Sequence, residues 1–103
     1  MAELQRDDAT EKMILEMTMA LNEIDESRLE VDMTNEALIQ ATENLNISTE
    51  QFEVGLETLT DHMEAQTLWQ RAWAQNVESK AQLRLNETSY LKASGQLEMN
   101  ANN

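Results

Sequence analysis

The chain has no proline, no cysteine and only two glycines in 103 residues. Its aromatic residues are limited to Phe52, Trp69, Trp73 and Tyr90. Each scarcity excludes something. Without cysteine there is neither a disulfide framework nor a thiolate metal site. With so few turn-forming residues, a sandwich or barrel of many short strands cannot be connected. Basic residues are also few, 7 against 20 acidic ones, for a net charge of −13. Such a surface repels phosphate backbones, so direct nucleic-acid binding is not expected. The longest apolar patch, Met13-Ile14-Leu15, is closed by Glu16, far short of a membrane span.

The N-terminus lacks a basic stretch followed by an apolar run, so no signal peptide is read. The default location is the cytoplasm, with signal-independent secretion or incorporation into a virion left open. Asn46-Ile47-Ser48 and Asn86-Glu87-Thr88 fit the glycosylation pattern and, without a secretory signal, are read as coincidence.

What the chain does have is helical periodicity. Met17, Ile24, Val31, Leu38 and Leu45 recur every seven residues, the a positions of a heptad. Met13, Ala20, Ser27, Thr34 and Ala41 take the d positions, four of them small. A seven-residue repeat keeps one seam of a helix against a partner helix. The pattern predicts a first helix over about 8–45, opened by Asp8 and Glu11 as a capping box. Asn44-Leu45-Asn46-Ile47-Ser48 interrupts the pattern, and Ser48 with Gln51 resembles a second capping box. Ile47 and Phe52 are placed as its hydrophobic staple. A turn over about 44–48 and a second helix over about 49–92 follow, with a frayed tail over 93–103.

The expected stripe of the second helix is Phe52, Leu56, Leu59, Met63, Gln66, Trp69/Gln70, Trp73, Val77, Ala81 and Leu85, alternating by three and four. Gly55 would then lie inside the helix, at a cost of about 1 kcal/mol relative to alanine. A fold at Asn46–Ile47 pairs Ile24 with Trp69, Val31 with Met63, Leu38 with Leu56 or Gly55, and Ala20 with Trp73. It also sets Arg71 near Glu23 as an exposed pair. The predicted fold class is all-α: a long antiparallel helical hairpin, coiled-coil-like, forming one domain.

Ile14, Leu15, Met19, Leu29, Met33, Ile39, Val54, Leu68 and Leu83 lie off this seam, and a lone hairpin has no third layer to cover them. Assembly into a helical bundle, with itself or with a helical partner, is therefore expected. The seven methionines suit either core filling or a surface that repacks on binding. Charge is unevenly placed: residues 1–68 carry 17 acidic and 3 basic groups, and residues 69–103 carry 3 and 4. The acid either keeps a face solvated or docks a basic protein.

Little in the sequence points to chemistry. His62 is the only histidine, and Leu59 stands where a Glu-x-x-His metal motif needs its carboxylate. The chain resembles small two-helix ferritin-like proteins only in size and hairpin form. No serine or threonine falls in a recognisable hydrolase pattern with His62, and no glycine-rich loop is present to cradle phosphate. No catalytic residue, metal ligand or cofactor is assigned, and a non-enzymatic role is expected. The candidate partner-binding residues are Trp69, Arg71, Trp73, Met33, Ile39 and Leu68, since tryptophan and arginine are enriched in binding hot spots. Trp73 is expected to fill the seam above Ala20, and Trp69 to lie at the seam edge, open to a partner.

In length, single hairpin and absence of cysteine, the chain resembles secreted WXG100-type proteins and the small helical chaperones of type III secretion. It lacks the Trp-x-Gly motif of the first, its turn region reading Asn44-Leu45-Asn46-Ile47, and no residue role is carried over from either. Three functions follow. The first is a chaperone, adaptor or structural subunit of a larger assembly, such as a secretion apparatus or phage particle. The second is an acidic inhibitor that imitates nucleic acid against a basic protein. The third, least supported, is an oligomeric metal-binding bundle.

Overall fold

With proline absent and the first glycine at position 55, no backbone feature forces a helix to stop before that point. The structure, a computed structural model, describes residues 2–101, with side chains from Asp8 to Gly95. Helix α1 runs over Ala2–Glu53 and helix α2 over Leu59–Ala101. The described chain is an all-α helical hairpin without strands.

The turn lies at residues 54–58 rather than 44–48. α1 passes through Asn44-Leu45-Asn46 unbroken, because the heptad continues there: Leu45 is half-buried and Ser48 buried. Contacts across the hairpin override the weak helix propensity of asparagine. Thr42 and Thr49 each donate to the carbonyl four residues back, at 2.8 Å, so their hydroxyls are satisfied inside the helix. The stop signal is Gly55, which takes the left-handed conformation at φ +79°. The Leu56 amide donates to the Gln51 carbonyl at 2.8 Å and the Gly55 amide to the Phe52 carbonyl at 3.1 Å. Together these bonds form a Schellman motif. The helix 2 cap is Thr58, whose Oγ1 accepts from the Asp61 amide at 3.1 Å. The start and end also differ from expectation: α1 begins at Ala2, and α2 continues through 93–101. The last two residues of the expected frayed tail lie outside the described residues.

Packing divides the hairpin into two units, Leu29–Ala81 around the turn and the remaining described parts of both helices. Around the turn, α1 contributes Val31, Thr34, Leu38, Ala41, Leu45 and Ser48, each buried or half-buried. α2 answers with His62, Ala65, Trp69, Ala72, Asn76 and Ser79. In the second unit, Met13, Met17, Ala20, Ile24 and Ser27 lie on one seam, and Leu83, Asn86, Tyr90 and Ala93 on the other. The heptad read on the first helix is therefore the seam observed. The stripe read on the second helix is not: Met63, Trp73, Val77 and Leu85 are exposed. The true seam lies one residue earlier, at 62, 69, 72 and 76, and apart from Trp69, Leu83 and Tyr90 is built of small and polar side chains.

That seam sets a new register. Thr34 meets Ser79 and Thr42 meets Trp69, so facing residue numbers add to 113 and 111 rather than about 93. None of the pairings expected from a turn at 46–47 is formed by Trp69, whose indole N–H donates to Thr42 Oγ1 at 3.0 Å.

Polar pairing holds the seam. Asn76, 3% exposed, donates from Nδ2 to Thr34 Oγ1 at 3.1 Å and to Asn35 Oδ1 at 2.6 Å. Thr34 and Ser79 share a hydrogen bond of 2.7 Å, and Ser79 Oγ donates to the Asn76 carbonyl at 2.9 Å. Each hydroxyl has a single proton. Thr34 Oγ1 also lies 3.1 Å from the Val31 carbonyl, to which it can donate, so the two hydroxyl protons are shared among three contacts. In the other unit, Asn86 Nδ2 donates to Ser27 Oγ and to the Glu23 carbonyl, and its Oδ1 accepts from Gln82. Among the described residues the one buried hydrophobic side chain is Ile24, 5% exposed.

Two stability outcomes follow. Asn76→Ala takes the donor from Asn35 Oδ1 and one of the partners from Thr34 Oγ1, and should lower unfolding free energy by about 1–3 kcal/mol, read by denaturant titration; an unchanged midpoint would show that water replaces the amide. Gly55→Ala adds a Cβ that meets no atom within 4 Å, so only backbone strain opposes it, about 1–2 kcal/mol. Gly95 is helical and equally uncrowded, and Gly95→Ala should instead stabilise by up to about 1 kcal/mol. Equal effects at both glycines would contradict the left-handed turn.

Candidate interaction surface

The seam takes Ile24, Val31, Leu38, Leu45, Trp69 and Leu83 together with small and polar residues, and many other large apolar side chains are left on the outside. Among the candidate partner-binding residues, Met33, Ile39, Leu68 and Trp73 are exposed, Trp73 by 51%. Arg71 is exposed as well. Trp69 is the exception. It is half-buried and tied to Thr42, so the roles expected for the two tryptophans are exchanged. The cause is the register: with the turn ten residues later, position 69 enters the seam and position 73 turns outward.

Of the residues read as lying off the seam, Ile14, Leu15, Met19, Leu29, Met33, Ile39, Val54 and Leu68 are all exposed. Leu83 is the correction, half-buried in the α2 seam. Further apolar side chains join the surface at the turn: Phe52, Val54, Leu56 and Leu59, with Leu56 79% and Val54 70% exposed. Phe52, Leu56 and Leu59 were assigned to a helical stripe by periodicity, and Val54 to the off-seam residues. The signal that identifies them was present in Gly55, a C-terminal stop, followed by Thr58-x-x-Asp61, a capping pattern.

Acid surrounds the turn. Between residues 50 and 64 stand Glu50, Glu53, Glu57, Asp61 and Glu64, with no lysine or arginine. All but Glu57 are exposed. Glu57 is half-buried, and its Oε2 is shielded without a hydrogen-bond partner.

The structure also brings Ser48 and His62 together, which spacing along the chain did not reveal. Ser48 Oγ lies 3.2 Å from His62 Nδ1, and Gln66 Nε2 lies 3.3 Å from His62 Nε2. With the Gln66 amide donating to Nε2, His62 holds its proton on Nδ1 and donates to Ser48. Phe52 stacks on the imidazole at 4.9 Å with the rings 5° from parallel. A nucleophile needs access to a substrate, and Ser48 is 4% exposed. The pair therefore serves as a packed polar layer next to the turn. Among the described residues no group of three or more histidine, cysteine, aspartate or glutamate side chains is placed to hold a metal. In the other unit, an open groove of about 270 Å³ is lined by Leu21, Ile24, Asp25, Arg28, Glu87, Tyr90 and Leu91. It mixes apolar walls with paired charge signs and brings no nucleophile next to a base.

No helix among the described residues is long and apolar enough to cross a membrane. No family model, no curated protein and no solved structure matches the chain.

The exchanged tryptophans give a direct check. Trp69→Ala removes a seam side chain and a hydrogen bond, and should lower stability by about 2 kcal/mol, less than the ~3–5 kcal/mol of a fully enclosed aromatic. Trp73→Ala should leave the hairpin's stability within about 0.5 kcal/mol, as for other surface changes. Thermal and denaturant unfolding at one low concentration read both, and the reverse order would restore the earlier register.

Proposed function

We propose that the chain is a non-catalytic helical interaction protein, a chaperone, adaptor or structural subunit, whose outward apolar side chains are covered by another helical protein or by a second copy. One observation carries this reading: the most buried side chains of the hairpin are mostly polar, while many large apolar ones are exposed. The seam between the helices is lined by Ser27, Thr34, Ser48, Asn76 and Ser79. Ile14, Met19, Leu29, Met33, Ile39, Leu68 and Trp73 stand outside, although Ile24, Leu38, Leu45, Trp69 and Leu83 lie within the seam. Removing apolar area from water stabilises by about 25 cal/mol per Å². Contiguous exposed patches beyond a few hundred Å² mark interaction sites in soluble proteins. Self-satisfied polar pairs hold the hairpin's shape, so the apolar faces remain available to a partner. The high negative charge supports this role by opposing nonspecific clumping of so apolar a surface.

Sedimentation across a range of concentrations, together with affinity capture from the native cell, tests the proposal. The expected outcome is either a concentration-dependent assembly with a concentration-dependent melting temperature, or a stoichiometric helical partner. The double variant Met33→Ser/Trp73→Ser should weaken whichever association is found while keeping helix content. A monomer of constant melting temperature that captures nothing would overturn the reading.

A further inference from the structure

We propose that the hairpin turn is a docking knob for a basic amphipathic helix of another protein, its apolar stripe seated on Val54 and Leu56 and its lysines or arginines on the surrounding carboxylates. The inference rests on the interaction role proposed above and assigns one surface and one partner chemistry to it.

The turn holds its apolar side chains outward by backbone geometry. In a Schellman motif the residue after the glycine usually packs back on the helix it ends. Here that residue is Leu56, and the position it would cover is the polar Gln51. Leu56 consequently stands 79% exposed although its amide is fixed to Gln51. Val54, on the other side of Gly55, is 70% exposed. Both are presented by a turn already locked by two hydrogen bonds and a capping threonine. Little ordering is therefore left to oppose binding.

Charge selects the occupant. Glu50, Glu53, Glu57, Asp61 and Glu64 surround the turn without one cation between residues 50 and 64. Glu57 is half-buried in the turn and adds its charge to this acidic stretch. A second copy brings the same carboxylates, and turn-to-turn contact opposes like charges. Its distal stretch carries Arg71, Lys80, Arg84 and Lys92, but Glu78 and Glu87 are interleaved with them. An anionic lipid surface is repelled for the same reason. A helix with an apolar stripe flanked by basic residues complements both features at once.

The test uses the full chain and two labelled probes, a Leu/Lys amphipathic helical peptide of about five turns and its Leu/Glu counterpart. Fluorescence anisotropy should show binding of the first only, weakening as salt rises. Val54→Ser/Leu56→Ser should lower that affinity by more than about tenfold with unchanged circular dichroism, whereas Met33→Ser/Trp73→Ser, on the helix faces, should leave it within about twofold. Glu53→Gln/Asp61→Asn should flatten the salt dependence. Equal binding of both peptides, no binding, or indifference to Val54→Ser/Leu56→Ser would overturn the proposal. So would anionic-vesicle binding through the turn, or a shift to monomer in sedimentation caused by Val54→Ser/Leu56→Ser alone. Assembly through the helix faces with no response at the turn would sink this inference and leave the broader reading standing.

Discussion

A buried polar group without a partner costs more than most contacts return, and this hairpin is organised around meeting that requirement. Asn76 supplies two N–H groups to two oxygens on the facing helix, and Asn86 does the same further along. A displacement along the helix by one residue separates every one of these donors from its acceptor. An apolar seam tolerates sliding, since one methyl group is much like the next. A paired polar seam does not, as single buried asparagines show when they set coiled-coil register. The small residues at Ala20, Ala41, Ala65 and Ala72 serve the same end, because side chains as short as serine reach across only when the helices are close.

Many hydrophobic residues nevertheless stand outside the seam, among them Met33, Ile39, Leu68 and Trp73. Polar pairing fixes which residues face each other, and many large apolar side chains are exposed. The two helices differ in what accompanies that surface. α1 and the turn are rich in carboxylates, while α2 beyond Trp69 alternates cations with glutamates. Negative potential therefore extends over α1 and the turn, and charge is mixed along α2 beyond Trp69.

Legibility in the sequence differed sharply between the helices. On the first, five apolar residues at intervals of seven marked the seam, and every a and d position from Met13 to Leu45 is buried or half-buried. On the second, apolar periodicity pointed to Met63, Trp73 and Val77, the exposed face, because that face is the more hydrophobic one. Periodicity finds the apolar side of a helix and assumes that it is the buried side. The assumption fails when the intramolecular seam is polar. Two capping patterns also competed, Ser48-x-x-Gln51 and Thr58-x-x-Asp61. Ser48 is instead a seam residue bonded to His62. Gly55 distinguished the alternatives, since a glycine ends a helix more decisively than asparagine does.

By itself, the sequence determined the helical class, the single reversal of direction, the first helix's buried face and the surplus of uncovered apolar side chains. These depend on local propensity and on spacing along one helix, which are properties of the chain. The tertiary structure decided where the chain turns, which residue faces which, and therefore that Trp69 is inside and Trp73 outside. Those outcomes depend on whether two polar groups distant in sequence find each other, as Thr34 and Ser79 do. No periodicity along one helix encodes that choice, because it arises only when both helices are present and each donor must be matched to an acceptor.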